Sequence, residues 1–280
     1  MCDQDYFEED LKKYTRRDVG VLAAAVGVAF MLPRAANALD VKESDVTIKT
    51  PDGECDAYFV APAGAHAAVL VWPDIFGLRP AFRQMGKRLA ESGYAVLVVN
   101  PFYRQKKAPT AANGASTPIG EVMPQMQALT AATNTTDAKA FIAWLDGRSE
   151  VAKNKKIGTI GYCMGGFIVM RTAAAVPNRV GAAATFHGAA LTTNAPDSPH
   201  LLIPQMKAKF LIAIAENDDM RDPMSKTTLK NAFAAAKLDA EIEVYPAAHG
   251  WCPPDTQVYN KDQAEKAWGR MLALFGKALA

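Results

Sequence analysis

Cys163 stands at the centre of Gly161-Tyr162-Cys163-Met164-Gly165, behind the strand-like run Ile157–Ile160 and ahead of a helix-like stretch from Gly165. Glycines on both flanks permit a sharp strand-to-helix turn that thrusts out the central side chain, as a nucleophile elbow requires. A thiolate is a strong nucleophile, and the N-terminus of the following helix favours its negative charge. The chemistry this points to is attack on an acyl carbonyl. The other reading is a small apolar cysteine buried in a glycine-rich turn.

Acyl transfer needs a general base and an acid that orients it, in the chain order nucleophile, acid, histidine. Of four histidines, His66 precedes a strand and falls at the wrong end of a sheet, and His200 sits in the proline-containing loop Asp197-Ser198-Pro199-His200. His187 ends a strand and is a second candidate, whereas His249 follows the last strand and precedes the last helix, and is the expected base. The acid is expected in Glu216-Asn217-Asp218-Asp219, with Asp218 preferred to Asp219. The oxyanion is expected to meet the backbone N–H groups of Met164 and of Ile75, in Pro73-Asp74-Ile75-Phe76-Gly77.

These residues must be held by strands and helices. Strands are expected at Val46–Lys49 and Ala57–Val60, joined by a Pro51-Asp52-Gly53 turn, and then at Ala67–Trp72, Tyr94–Val99, Lys156–Gly161, Val180–Phe186, Lys209–Ala215 and Glu241–Tyr245. Helices are expected at Phe82–Glu91, Asp137–Leu145, Gly165–Ala175, Thr227–Lys237 and Gln263–Leu279. Alternation of this kind predicts a three-layer α/β fold, a mostly parallel sheet with helices on both faces and active residues on loops at the strands' C-terminal ends.

Composition narrows the partners. Thirty-one basic against 29 acidic residues leave a net charge of +2, which gives no electrostatic case for nucleic acid or an anionic membrane. The expected partner is a small molecule. Cys2, Cys55, Cys163 and Cys252 form no CxxC pair, and no metal-ligand spacing or dinucleotide-type glycine motif occurs, so no cofactor is expected. Cys252, three residues beyond His249, reads as a buried free thiol; a disulfide with Cys163 is the less favoured alternative.

Residues 1–38 read as an export leader. Arg16-Arg17 precedes an uncharged run from Val19 to Leu32, and Ala36-Asn37-Ala38 has the small-x-small form of a cleavage site. The paired arginines resemble a twin-arginine signal, which implies passage through a twin-arginine translocase and a periplasmic or secreted protein. The apolar run, about 14 residues, falls short of the roughly 20 that span a bilayer. An uncleaved membrane anchor or an ordinary first helix is the alternative. The mature chain, residues 39–280, is expected to be one domain with no stable membrane association.

Together these residues resemble the dienelactone hydrolase family of the α/β-hydrolase superfamily, over roughly residues 45–280. Gly161 to Gly166 match its G-Y-C-x-G-G elbow, and Asp74-Ile75-Phe76-Gly77 match its acid-Ile-Phe-Gly loop. The resemblance implies an ester or lactone hydrolase working through a Cys-His-Asp triad and an acyl-cysteine. It also implies that Asp74 contacts the resting thiol and that Arg104, in Tyr103-Arg104, binds the substrate carboxylate. The family's second arginine, shortly after the histidine, is missing from His249-Gly250-Trp251-Cys252-Pro253-Pro254. Trp251 is expected either to line an apolar pocket there or to pack against the closing helix. A general carboxylesterase or thioesterase, and a non-catalytic binding protein on the same fold, are the competing readings.

Overall fold

Apolar residues at every position of Ala68–Trp72 and Ala95–Val99 point alternately into two separate layers, so these strands are buried on both faces. The computed structural model describes residues 32–33 and 37–279. The Arg16-Arg17 pair and the apolar run as far as Met31 lie outside the described residues. No helix among those described is long and apolar enough to cross a membrane.

The elements run β1 (Val41–Thr50), β2 (Gly53–Pro62), β3 (Ala68–Trp72), α1 (Pro80–Glu91), β4 (Ala95–Val99), α2 (Ile119–Gln127), α3 (Ala131–Asp146) and β5 (Ile157–Tyr162). They continue with α4 (Gly165–Ala175), β6 (Val180–Phe186), a 3-10 turn (Pro199–Gln205), β7 (Lys209–Ala215), α5 (Glu216–Arg221), α6 (Pro223–Ala235), β8 (Ala240–Tyr245) and α7 (Lys261–Ala278). One eight-stranded sheet is ordered β1-β2-β4-β3-β5-β6-β7-β8. The β1–β2 hairpin is antiparallel and joins β4 antiparallel; every pair from β4 through β8 is parallel. Helices α3, α4 and α6 contribute to the apolar layer on one face, and α1 and α7 to the other. The expected α/β-hydrolase architecture is therefore present.

Differences from the expected elements have local causes. The β1–β2 hairpin extends ten residues on each side because pairing runs unbroken from Val41↔Pro62 to Thr50↔Gly53. Helix α3 begins six residues before Asp137, where Thr130 and Thr133 cap each other's backbone. The acidic stretch Glu216–Arg221, expected as a loop, is a short helix, α5.

The parallel order brings the ends of β3, β5, β6, β7 and β8 to one rim. On that rim lie residues 73–77, Cys163, His187, Asp218 and His249.

Candidate active site

Two glycines make the elbow possible. A Cβ on Gly161 would overlap the Gly165 carbonyl, and one on Gly165 would overlap the Trp72 carbonyl. With those approaches open, Cys163 takes φ 51°, a left-handed conformation costing about 1–3 kcal/mol in a residue other than glycine. Backbone bonds hold it there: the Cys163 N–H donates to Phe186 O at 3.1 Å, and Cys163 O accepts from Ala189 N–H at 2.9 Å. Cys163 is buried, 5% exposed, and lines a cavity of about 660 Å³.

His249 and Asp218 line the same cavity. His249 Nδ1 lies 2.6 Å from Asp218 Oδ2, and the His249 N–H donates to Asn217 Oδ1 at 2.8 Å. Short helix α5 thus presents its first turn to the loop after β8. Asp219 instead accepts from Lys226 Nζ at 2.7 Å. The structure therefore brings His249 together with Asp218 rather than with its neighbour.

His187 is also at the cavity, wholly buried and at φ 41°. Its Nδ1 accepts the Cys163 N–H at 3.2 Å, and its ring lies 5.0 Å from that of His249. Burial, reinforced by His249, pushes its pKa well below the ordinary histidine value. With Nδ1 accepting, the neutral ring carries its proton on Nε2. It has no vacant lone pair with which to take a thiol proton. Its place is beneath the nucleophile, as a support.

The remaining histidines separate. His66 is half-buried, bonding Ala63 O through Nε2 at 2.9 Å, at the opposite end of the sheet from the rim. His200, in the proline-containing loop, is bonded to Ser198 at 2.7 Å and also lines the cavity.

The sequence pattern of the Dienelactone hydrolase family matches residues 55–279. The chain belongs to the dienelactone hydrolase family. A protein of Synechocystis sp. provisionally named carboxymethylenebutenolidase is 30% identical over 245 residues, covering 85% of this chain and 97% of its own. One of the same provisional name from Yersinia pestis is 27% identical, covering 82% and 86%. The crystal structure of a protein provisionally named dienelactone hydrolase from Klebsiella pneumoniae superposes with TM-score 0.75 at 24% identity, covering 85% of this chain and 99% of that one. This chain is a hydrolase of the dienelactone hydrolase type.

Against that family pattern, several expected residues are placed differently. Asp74 lines the cavity, but its carboxylate is gripped by Arg79, at 2.6 Å to Oδ1 and 3.0 Å to Oδ2, and accepts the Phe76 N–H at 2.9 Å. Burial raises the Asp74 pKa, and Arg79 acts against that rise. Arg79 is fully buried and also binds Asp255 through Nε at 2.7 Å and Nη2 at 2.9 Å. Asp255 in turn accepts the Gly114 N–H at 3.1 Å. Three loops therefore meet at one guanidinium: the one before α1, the one before α2 and the one after His249. Sequence reading missed both Arg79 and Asp255. A lone arginine between Leu78 and Pro80, in an otherwise apolar stretch, was the only signal.

Arg104, expected to bind a substrate carboxylate, does not line the cavity. It is captured by Asp137, at 2.7 and 2.8 Å, and by Asp52. Its partners tie the β1–β2 turn to α3, with Tyr103 hydroxyl joining through Asp137 at 2.8 Å. Trp251 does not line the cavity either. It is fully buried, stacked on Tyr245 at 5.3 Å and edge-on to His187 at 5.0 Å. Its ring contacts are Tyr245 and His187, within the apolar layer that Met271 and Phe275 of α7 also join.

Ile75 lines the cavity, and Met164 is wholly buried at the N-cap of α4, where backbone N–H groups lack intrahelical partners. Cys55, Cys163 and Cys252 form no disulfide. Cys163 packs into one apolar layer and Cys252 into the layer across the sheet, where burial pushes the Cys252 thiol pKa well up.

Proposed function

We propose that the chain cleaves a carboxylic ester or lactone through a triad of Cys163, His249 and Asp218. The observation that carries this reading is the 2.6 Å contact of His249 with Asp218 on the cavity into which the Cys163 elbow opens. His249 takes the thiol proton, and the thiolate attacks the substrate carbonyl. Asp218 holds the imidazole in the tautomer that accepts on Nε2 and stabilises the imidazolium. The N–H groups of Ile75 and Met164 stabilise the tetrahedral oxyanion. Its collapse expels the alkoxide, protonated by His249, and leaves an acyl-cysteine. His249 then deprotonates water, which attacks the acyl group, releases the acid and restores the thiol.

Trapping tests the reading. Rapid acid quench during turnover of a slowly deacylating ester is expected to yield a protein heavier by the acyl group, with the adduct on the Cys163 peptide. Absence of both adduct and turnover over a panel of aryl esters, thioesters and lactones would favour a non-catalytic binding protein.

Export belongs to the same proposal. Among the described residues, Leu39 N–H donates to Glu91 O at 3.0 Å and β1 starts at Val41, which supports a mature chain that keeps these contacts when it starts near Leu39. The mature protein recovered from the periplasm or medium of an expressing cell is expected to have the mass of a chain starting near Leu39. Recovery of the full-length mass from the membrane fraction would support the anchor instead.

A further inference from the structure

The charges around the cavity differ from what a carboxylate-bearing substrate needs. Among the described residues lining it are the acids Asp74, Asp218, Asp219 and Asp222, and the bases Arg221 and Lys226. Both bases already face carboxylates: Lys226 lies 2.7 Å from Asp219, and Arg221 lies 3.8 Å from Asp218. Arg79 neutralises Asp74 from behind but is itself shared with Asp255. Arg104, the cation implied for this role, is turned to Asp52 and Asp137. The segment His249–Pro254 holds no arginine, and Asp255 just beyond it is a carboxylate already bound to Arg79. Apolar side chains, among them Phe76, Leu191 and Leu229, line the same space, and Met224 reaches it while 64% exposed. About 660 Å³ is also ample room for a ligand larger than a single small ring.

We infer that the cavity selects uncharged esters with an extended apolar acyl chain and rejects those whose acyl chain ends in a carboxylate. This rests on the hydrolase reading above and names its substrate class. The physical reason is direct. A carboxylate entering this space loses hydration and meets an excess of like charge, with no cation to receive it unless an existing ion pair breaks. An apolar chain end of the same shape sheds water onto apolar walls.

A matched pair of substrates tests this. The para-nitrophenyl monoester of adipic acid and para-nitrophenyl 6-methylheptanoate share leaving group and chain length, and differ by a carboxylate against an isopropyl end. After subtraction of the buffer rate, kcat/KM is expected to favour the neutral ester by about ten-fold or more, since like-charge contacts of this kind cost at least that much. Asp219→Asn releases Lys226 and is expected to narrow the ratio, mainly through KM for the charged ester. Equal or faster turnover of the adipate ester by wild type overturns the selection. Binding is measured beside turnover, by calorimetry with 6-methylheptanamide and adipic acid monoamide. If neither ester is turned over but the neutral amide still binds more tightly, the hydrolase reading fails and the charge selection stands. If the two amides bind alike, the selection itself is wrong.

Discussion

Cys163→Ala is expected to lower kcat for any ester substrate by on the order of 10,000-fold or more, while the protein stays folded. The substitution removes the sulfur and with it the covalent route. What remains is the oxyanion site and an imidazole able at best to activate water poorly placed for attack. Asp218→Asn is expected to cost less, because it disturbs the base without deleting the nucleophile. Folding is spared because alanine and cysteine both carry a Cβ and suffer the same strain at φ 51°. The elbow is held by backbone bonds to Phe186 and Ala189 and by the glycines around it, none of which the sulfur supplies. Initial rates on the ester panel, with circular dichroism and a melting curve, check both halves. Undiminished turnover in a folded Cys163→Ala protein would remove the thiol from the mechanism.

Arg79→Met is expected to destabilise the fold by about 3–5 kcal/mol, the usual cost of removing one partner from a buried charge network. Arg79 has no exposed side-chain surface, and Asp74 and Asp255 retain only 5% and 7%. Removing the guanidinium leaves two carboxylates facing each other without solvent or counter-charge. At roughly 2–4 °C per kcal/mol for proteins of this size, the melting temperature should fall by more than about 6 °C. Replacing all three residues at once, Arg79→Met with Asp74→Asn and Asp255→Asn, is expected to recover part of that loss, because no orphaned charge is then buried. Thermal and denaturant unfolding of the single and triple variants measures this. A single variant melting within a degree of wild type would show that the network is not the anchor its geometry implies.

The parts legible in the sequence were those fixed by short-range pattern. Glycine spacing around Cys163 encodes the elbow, and doubly apolar runs such as Ala68–Trp72 encode strands buried on both faces. The order of strand ends along the chain was enough to single out His249 and to prefer Asp218, which the structure places in contact. What stayed hidden depends on partners brought from elsewhere by the fold. Nothing near Arg104 in sequence reveals that Asp52 and Asp137, 52 and 33 residues away, close on it. Nothing near Trp251 reveals that Tyr245 and His187 enclose it. His187 could be placed on the rim, but its part in holding the Cys163 backbone depends on a ring orientation that composition does not specify.

The bond between Arg79 and Asp255 spans 176 residues of chain. During synthesis, the ionic anchor of the loop bearing Ile75 cannot form until Asp255 has been made, after all eight strands of the sheet. Strands β3 to β7 can be made before then, but the cavity cannot be completed around Cys163. A chain that stops short of Asp255 therefore carries the Cys163 elbow without the ionic anchor that closes the loops around it.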